Sequence, residues 1–338
     1  MRAFAVHRPG PIATHRLQDV EKPLPTPGPG QVRLRVTACG VCRTDLHLAE
    51  GDLPPRHPLV VPGHEIVGVV DLPGPETSGT FAVGDRIGVA WLARTCGKCQ
   101  FCTSGRENLC FTPTFTGWDR DGGYAEYALA DEAYSYKLPA GFDDVTVAPL
   151  LCAGIIGYRA LRRAELPPGG RLGIYGFGGS AHLTAQIAIA EGATVHVLTR
   201  SPQARALAIE LGAASAGDAY DAPPEKLDSA ILFAPVGDLV PACLAGLERG
   251  GTLAIAGIHL SDIPSLNYAD HLFEERTVRS VTANTRVDGQ EFLQLAVKFG
   301  LHVTTTAYPL EDANEALSDL AGDRLTGAAV LTFPEAAS

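Results

Sequence analysis

Short strand-like runs dominate the first 150 residues of the chain. Residues 31–37 alternate apolar and polar positions with a period of two, directly after residues 23–30, which are dense in Pro and Gly. Residues 65–71 and 86–91 are short apolar runs, each led by a turn that contains glycine. No connection of helix length separates these strands, so parallel pairing is not expected. The pattern predicts a compact, irregular, barrel-like β domain.

From about residue 154 onward, strand patterns and helix patterns take turns. Four apolar runs are predicted strands: residues 171–175, 194–198, 230–233 and 252–256. The first is followed by a glycine turn and a helix that extends through Glu191. A second helix, over residues 202–211, has Pro in its first turn and Gly212 just past its end. This alternation is typical of a doubly wound parallel sheet in an α/β domain.

Two helices and a strand close the chain. The apolar positions of residues 288–299 fall on one helical face, with Asp288 as the expected N-cap and Gly300 just past the C-terminal end. A last helix is predicted near residues 312–321 and a last strand over residues 328–333.

Composition narrows the class of protein. The 338 residues suggest about two domains of roughly 150 residues each, and the 46% apolar fraction excludes a disordered chain. The net charge of −11, without a basic block, argues against nucleic acid or an anionic membrane as partner. The N-terminal residues lack the apolar run of a signal peptide, and no stretch approaches the roughly 18 apolar residues of a membrane span. We therefore expect a soluble, cytoplasmic protein.

Four of the eight cysteines form one C-x₂-C-x₂-C-x₇-C motif: Cys96, Cys99, Cys102 and Cys110. In a reducing compartment, clustered thiols bind metal more often than they form disulfides. Four soft sulfurs satisfy tetrahedral Zn²⁺ with no open position, which makes such a site structural. An iron–sulfur cluster is the alternative, although its usual last spacer is three residues followed by Pro, whereas here it is seven followed by Phe111.

A second group of metal-type ligands precedes this motif. Residues 40–47 read G-V-C-R-T-D-L-H, and residues 62–65 read P-G-H-E. Cys42 and His64 supply a thiolate and an imidazole, the mixed set expected of a catalytic zinc site. Each of these two residues alone is weak evidence for a metal site. The evidence is stronger because the same motifs also contain Thr44, Asp45, His47 and Glu65.

Together these motifs resemble those of zinc-dependent alcohol dehydrogenases of the medium-chain dehydrogenase/reductase superfamily, over essentially the whole chain. The ordered set comprises residues 40–47, 62–65, 96–110, A-P-L-L-C-A-G at 148–154 and a glycine turn at 176–181. The resemblance implies a GroES-like irregular β-barrel catalytic domain over residues 1–153 and 286–338. It also implies a Rossmann cofactor domain, a doubly wound parallel sheet, over residues 154–285.

The resemblance assigns roles around the catalytic zinc. Cys152 becomes the third protein ligand beside Cys42 and His64, and water or the alcohol takes the fourth position. Glu65 lies near the zinc in the family and can ligate it transiently. Asp45 matches a carboxylate that hydrogen-bonds His64, fixes its tautomer and raises its basicity.

The same resemblance implies the proton path and the substrate pocket. The zinc ion, as a Lewis acid, lowers the pKa of the alcohol, and the hydroxyl of Thr44 hands the proton through the nicotinamide ribose to His47. Trp91 matches a position that narrows the substrate pocket, and Trp118 is a second candidate for its wall. Two large rings favour small or flat primary alcohols and aldehydes.

The glycine turn predicts a dinucleotide site. Residues 176–181, G-F-G-G-S-A, follow a predicted strand and open a helix. Gly176 allows the tight turn, Gly178 lets the backbone approach the pyrophosphate, and Gly179 is a further candidate. Ala181 replaces the third glycine and is small enough for close helix–strand packing. The helix N-terminus then offers its N–H groups to the anion.

The segment after the next strand indicates which cofactor binds. An NAD site places an acidic residue about 20 residues past the glycine turn. Residues 197–201 read V-L-T-R-S, without an acid. Instead, candidates for a 2′-phosphate site are Arg200 as a charged partner, the hydroxyl groups of Thr199 and Ser201, and Arg205 as a helper. We therefore predict a preference for NADP(H) over NAD(H).

Near the C-terminus the chain departs from the family pattern. Many members carry Gly-Arg there, with the Arg on the cofactor's pyrophosphate, whereas this chain has Gly327-Ala328. Arg43 matches another phosphate-contacting position and is expected to carry that role alone. Arg324 is close in sequence, but no argument places it at the phosphate.

The predicted activity is reversible conversion of small alcohols to aldehydes or ketones, with NADP(H) and two zinc ions per chain, in a homodimer or homotetramer. One alternative is a zinc-free quinone or enone reductase of the same superfamily, which should lack both sets of zinc ligands. The other is a non-catalytic zinc- or cofactor-binding sensor, which the loss of Thr44 or His47 would have favoured. This chain retains all of these residues.

Overall fold

The structure is a computed structural model that describes residues 1–13, 17–257, 259–325 and 327–334. In these ranges the strands are β1 (Arg2–Ala5), β2 (Gln18–Glu21), β3 (Gln31–Val41), β4 (Glu65–Pro73), β5 (Arg86–Val89), β6 (Leu92–Arg94), β7 (Thr114–Phe115), β8 (Tyr127–Asp131), β9 (Ser135–Lys137), β10 (Arg171–Tyr175), β11 (Thr194–Leu198), β12 (Ser215–Gly217), β13 (Leu227–Leu232), β14 (Leu247–Ile255), β15 (Thr277–Ser280), β16 (Thr305–Pro309) and β17 (Ala328–Thr332).

The α-helices are α1 (Arg43–Glu50), α2 (Asp144–Val147), α3 (Ala153–Ala164), α4 (Gly179–Ala190), α5 (Pro202–Glu210), α6 (Leu239–Gly246), α7 (Tyr268–His271), α8 (Arg286–Phe299) and α9 (Ala313–Ala321). Short 3₁₀ helices cover Cys102–Ser104, Glu107–Leu109, Glu132–Tyr134, Ala148–Leu151 and Leu310–Asp312.

One compact unit comprises Met1–Cys152, Asn284–Leu293 and Val303–Ser338. Its main sheet has the strand order β16-β17-β3-β4-β5-β9, and β8 pairs with β3 beside this path. The pairs among β3, β4, β5, β8 and β9 are all antiparallel, as the pattern predicted. The premise of that prediction was wrong, because helix α1 lies in the connection between β3 and β4, where no connection of helix length was expected. Alternate residues of β3 are buried up to Val36, because one face of the strand covers the core. The strand then continues past the predicted end at Thr37 and carries the chain to Cys42.

The strand predicted over residues 86–91 ends earlier, at Val89. The carbonyl groups of Ala90 and Trp91 accept hydrogen bonds from the side chain and the backbone of Thr116, respectively. The backbone therefore leaves the sheet before Trp91 and turns toward the β6–β7 pair.

The second compact unit comprises Ala153–Ala283 and Gln294–His302. Its sheet has the order β12-β11-β10-β13-β14-β15, and every neighbouring pair is parallel. The doubly wound sheet is thereby confirmed, and β10 and β11 have the predicted bounds. Residues 294–302 cluster with this unit, whereas the family resemblance implied that all of residues 286–338 belong to the first domain.

The predicted N-cap of the late helix is wrong by one turn. Helix α8 begins at Arg286, and Asp288 is its third residue. The carboxylate of Asp288 accepts the backbone N–H of Thr285 at 2.7 Å, while Thr285 Oγ1 accepts the N–H of Asp288 at 3.2 Å. This reciprocal pair is a capping box, so Thr285 takes the capping position. Gly300 lies past the helix end with φ of +60°, as predicted.

Within the described ranges, no single helix is long and apolar enough to span a membrane. The bent pair Asp144–Leu151 and Ala153–Ala164 reaches the required length and composition only when the two helices are taken together.

Candidate metal and cofactor sites

Two thiols, an imidazole and a carboxyl group from distant parts of the first unit meet in one cluster. Cys42 joins β3 to α1, and Cys152 follows the 3₁₀ helix at 148–151; Glu65 opens β4, and His64 precedes it. One candidate ligand atom from each residue lies within 4.8 Å of all the others. The two Sγ atoms are 3.9 Å apart, and His64 Nε2 is 3.2 Å from Cys152 Sγ. The structure thus brings together all four residues predicted at the catalytic metal.

The chemistry and spacing of this cluster fit a tetrahedral zinc ion. Zn–S bonds of about 2.3 Å at tetrahedral angles put two sulfur atoms about 3.8 Å apart, close to the observed separation. Hydrogen bonding with Cys152 lowers the pKa of the Cys42 thiol well below its ordinary value, which favours the thiolate form that binds metal. Two thiolates and one imidazole would leave a position for an oxygen ligand.

Asp45 ties the two ligand-bearing turns together. Its carboxylate accepts the backbone N–H groups of Cys42 and Gly63, each at 2.9 Å. Asp45 is 2% exposed, and its Oδ1 lies 3.4 Å from Nδ1 of His64. This Nδ1 atom is buried and has no hydrogen bond within the described part of the chain. Asp45 is therefore the carboxylate placed to orient the His64 ring when Nε2 binds a metal.

Glu65 enters the cluster because Gly40 leaves room for it. A Cβ atom at Gly40 would lie 1.7 Å from Oε2 of Glu65, so any larger residue would displace this carboxyl group. Burial raises the pKa of the Glu65 carboxyl group well above its ordinary value. Gly40 is not among the predicted site residues, although its place two residues before Cys42 is a signal that could have identified it.

Thr44 and His47 lie about one turn apart on α1. Thr44 is buried, and its Oγ1 is 3.8 Å from Cys42 Sγ. His47 is partly exposed, and its Nδ1 lies 3.0 Å from Oδ2 of Asp52. Residues three positions apart share one face of a helix. The pair therefore leads from the thiol of Cys42 toward the surface of the unit.

Three aromatic rings form a wall beside the cluster. Trp91 stands edge-on to His64, with ring centroids 5.1 Å apart. Phe115 stacks on Trp91 at 4.8 Å, and Trp118 lies nearly parallel to Trp91 at 6.0 Å. The guanidinium of Arg56 covers Trp118, 4.3 Å from its ring centroid. The structure places both predicted tryptophans in this wall and adds Phe115, which no sequence signal singled out.

The four remaining predicted ligands converge on a second centre. The Sγ atoms of Cys96, Cys99, Cys102 and Cys110 all lie within 4.8 Å of one another. Backbone N–H groups point at the sulfurs: the N–H of Cys96 donates to Cys110 Sγ, and that of Cys99 to Cys96 Sγ, each at 3.4 Å. Bonding from the backbone of Cys102 lowers the pKa of Cys99 to about 6. Four thiols arranged in this way fit a closed zinc site.

Glu107 fastens the four-cysteine loop to the start of α8. Its side chain is buried, and Oε1 accepts both the backbone N–H and the Nε–H of Arg286, at 3.0 and 3.1 Å. Burial raises the pKa of Glu107, but the hydrogen bonds from Arg286 outweigh it and hold that pKa below its ordinary value. The Arg286 guanidinium also lies over the Tyr134 ring, 4.8 Å from its centroid. Sequence reasoning missed this contact, because 179 positions separate its partners.

The glycine turn between β10 and α4 has an open anion-binding geometry. Gly176 has φ of +85°, and a Cβ atom there would lie 2.8 Å from the backbone nitrogen of Ala234. At Gly178, the N-cap of α4, no described atom outside Gly178 and its two chain neighbours lies within 4 Å of the Cβ position. Gly179 begins the helix, and Ala181 is buried. The first N–H groups of α4 are thus approachable by a phosphate group.

The segment after β11 presents Arg200 at the surface. The Arg200 side chain is exposed and makes no hydrogen bond or ion pair within the described residues. Thr199 is buried, and Ser201 Oγ accepts the N–H of Ala204 at 3.2 Å, which caps α5. Arg205 reaches back from α5, and its Nη1 donates to the Thr199 carbonyl at 2.9 Å. The four residues predicted for the 2′-phosphate site therefore lie together, but only Arg200 has an exposed side chain without a bond to the described protein.

The side chains of two further arginines form ion pairs within the first unit. Arg43 forms an exposed ion pair with Asp323. Arg324 pairs with Asp319 at 2.8 Å and also donates to the Ser318 carbonyl. The phosphate-contacting role of Arg43 stays a prediction.

Comparison with known proteins identifies the family. Models of an alcohol dehydrogenase GroES-like domain and of a zinc-binding dehydrogenase match residues 28–140 and 179–298. A probable alcohol dehydrogenase of Mycobacterium tuberculosis, AdhA, is 58% identical over 98% of this chain and 97% of its own length.

Two solved structures each cover 98% of the chain with a TM-score of 0.87. One is CAD from Helicobacter pylori complexed with NADP(H), 25% identical and covered to 97%; the other is acetophenone reductase from Geotrichum candidum in complex with NAD, 26% identical and covered to 96%. The chain therefore belongs to the zinc-binding alcohol dehydrogenases of the medium-chain dehydrogenase/reductase superfamily, with a GroES-like domain and a Rossmann-like parallel-sheet domain.

Proposed function

We propose that this alcohol dehydrogenase interconverts small or flat primary alcohols and their aldehydes with NADP(H), and that it holds two zinc ions per chain. The cluster of Cys42, His64, Glu65 and Cys152 carries the proposal, because its donor set and spacing fit a catalytic zinc ion. Carbonyl reduction is the proposed direction in the cell, since the NADP(H) pool is usually reduced.

The zinc ligands follow from the two clusters. Cys42, His64 and Cys152 hold the catalytic ion, and Glu65 stands beside it as a transient ligand. A zinc ion bound there supplies Lewis-acid chemistry at the alcohol or carbonyl oxygen. The four cysteines at 96–110 hold a structural ion with no open position.

The chain's own residues carry the proton. Thr44 Oγ1, beside Cys42, accepts the proton of the substrate hydroxyl while its own proton moves on. His47, at the more exposed end of the pair, takes up the proton that leaves Thr44 and releases it to solvent. Asp52 orients the His47 ring through Nδ1.

Asp45→Asn is expected to weaken zinc retention at the catalytic site and to lower kcat/KM, each by about 10- to 100-fold. The Asp45 carboxylate serves two backbone N–H groups with two oxygens, and an amide leaves one of them facing an NH₂ group. Zinc release to a chromogenic chelator and steady-state kinetics measure the effect. Asp85→Asn is the control, because Asp85 accepts the N–H of Ala82 in an exposed turn. Zinc release as slow as in the wild type would contradict the role of Asp45.

The proposed preference for NADP(H) rests on Arg200. Its guanidinium is exposed, has no partner among the residues that the structure describes, and stands where an NAD site has an acidic side chain. The structural neighbours include one complex with NADP(H) and one with NAD, so they favour neither cofactor.

Arg200→Ala is expected to raise the Kd of NADPH by about 10- to 100-fold and to leave the Kd of NADH within about twofold. A hydrogen bond between charged groups contributes about 1.5–3 kcal/mol, and only NADPH carries the 2′-phosphate. Fluorescence titration of both reduced cofactors measures the ratio. Arg249→Ala is the control, since Arg249 is exposed near the amino end of β14. Equal affinities in the wild type, or an unchanged ratio in the variant, would contradict the preference.

Metal analysis combined with a substrate panel tests the whole proposal. Two zinc ions per chain, and turnover of small or aromatic primary alcohols that is faster with NADP⁺ than with NAD⁺, support it. One zinc ion and no turnover on any alcohol or aldehyde would instead favour a sensor.

We further propose that the protein forms a homodimer or homotetramer and is cytoplasmic. Strand β15 forms one edge of the six-stranded sheet, and Val278 on it is 37% exposed, which suits pairing with a second copy. All eight cysteines are unpaired thiols, as expected in a reducing compartment.

A further inference from the structure

The guanidinium group of Arg205 holds the segment after β11 against the end of β12. Its Nη1 donates to the carbonyl groups of Thr199 and Arg200, at 2.9 and 3.4 Å. The same nitrogen lies 3.3 Å from Oδ2 of Asp218, the first residue after β12. The backbone N–H of Thr199 donates to the Gly217 carbonyl at 3.0 Å. We call this set of contacts the Arg205 clamp.

Arg205 and Asp218, the two partners of the clamp, are each held by a further backbone hydrogen bond. Arg205 lies in the first turns of α5, and its backbone N–H donates to the Ser201 carbonyl at 3.0 Å. The backbone N–H of Asp218 donates to Oδ2 of Asp221 at 2.8 Å. The Arg205 side chain is 29% exposed, so solvent screens its charge only in part.

We infer that Arg205 is a positioning residue for the adenosine end of the cofactor site and that it is not a ligand of the 2′-phosphate. This inference rests on the proposed function, in which NADP(H) occupies the segment after β11. Nη1 of Arg205 already donates to two carbonyls and has a carboxylate 3.3 Å away, and that carboxylate repels a phosphate group near this side chain. The exposed Arg200 is then the side-chain cation that meets the 2′-phosphate.

The clamp separates two kinds of effect on cofactor binding. Without Arg205, the carbonyls of Thr199 and Arg200 lose this donor, and in the described part of the chain only the backbone bond from Thr199 to Gly217 still ties the segment to the end of β12. The contacts of that segment to the adenosine ribose, which NADPH and NADH share, then weaken. Loss of Arg200 removes only the contact to the phosphate that distinguishes them.

The test measures the Kd of NADPH and NADH for the zinc-loaded full-length protein by fluorescence titration. Arg205→Ala is expected to raise both constants about 5- to 20-fold and to leave their ratio within about twofold. Asp218→Asn is expected to raise both by a smaller factor. The double variant is expected to bind no more weakly than Arg205→Ala, because both changes break one clamp. Titration with 2′,5′-ADP and 5′-AMP checks the same ratio without the nicotinamide end.

The opposite pattern would overturn the inference. If Arg205 contacts the 2′-phosphate and Asp218 competes for it, Asp218→Asn tightens NADPH binding alone and Arg205→Ala weakens NADPH binding alone. Unchanged constants in both variants would also overturn it. Arg249→Ala and thermal unfolding control for charge and for folding. A failure of the proposed NADP(H) preference is distinguishable, because it appears as equal affinities in the wild type, whatever Arg205→Ala does.

Discussion

Cys42→Ala is expected to lower kcat/KM for alcohol oxidation at least about 1000-fold, a loss of roughly 4 kcal/mol in transition-state stabilisation. The substitution removes one of the two thiolates of the cluster and leaves His64 and Cys152 without a third strong ligand. Metal analysis is expected to find one zinc ion per chain instead of two, because the four-cysteine loop is untouched. Steady-state kinetics and zinc content of the same preparation measure both effects.

Cys243→Ala is the matched control for this variant. Cys243 is a fully buried thiol, whereas Cys42 is half-buried, and it lies on α6 in the second unit, where neither metal cluster includes it. It is expected to retain two zinc ions and the wild-type turnover number. If Cys42→Ala also kept two zinc ions and full turnover, the catalytic zinc site would lie elsewhere.

Local patterns in the sequence predicted the two strands next to the glycine turn, but they did not predict α1, the helix that carries Thr44 and His47. The bounds of β10 and β11 are as predicted, because each is a short apolar run between turns and is buried in a parallel sheet. The cysteine spacing of residues 96–110 likewise identified thiols that do converge. The placement of Cys152 beside His64 came from the family resemblance alone, since 88 positions separate the two.

Contacts between distant segments explain most of what the sequence could not reveal. Asp45 was predicted to act on His64, but its bonds to the N–H groups of Cys42 and Gly63 depend on how β3 and β4 pair. Phe115 joins the tryptophan wall through a chain reversal with no pattern of its own. Such pairings depend on tertiary packing, which periodicity does not encode.

Other differences from the sequence predictions involve side chains that form hydrogen bonds with backbone groups. Asp288 reads as an N-cap, yet it lies one turn inside α8 and completes a capping box with Thr285. Arg205 was predicted as a helper at the 2′-phosphate, and we infer a positioning role for it instead, because its Nη1 donates to two carbonyl groups. In both cases residue type indicated the right neighbourhood, and the unsatisfied backbone groups nearby decided the partner.

Cys99→Ser is expected to remove the other zinc ion and to lower the Tm by about 5 °C, which corresponds to roughly 3–4 kcal/mol in a chain of this size. In the loop over residues 96–111, only Glu107, Asn108 and Cys110 are buried among these described positions, so apolar burial contributes little to its folding. A shared metal ion and the anchor from Glu107 to Arg286 would then hold the loop. Calorimetry and metal analysis of the variant measure both effects.

This variant separates a structural role from a catalytic one. At temperatures where it stays folded, Cys99→Ser is expected to keep kcat within about twofold, because Cys42, His64 and Cys152 retain their ion. Cys243→Ala again controls for the loss of a thiol, and it is expected to keep both ions. An unchanged Tm with two zinc ions would show that Cys99 is not needed to hold the second ion. Iron with visible absorption in the wild type would instead establish the iron–sulfur alternative, which uses the same four thiolate ligands. Reduction of such a cluster would bleach the visible absorption.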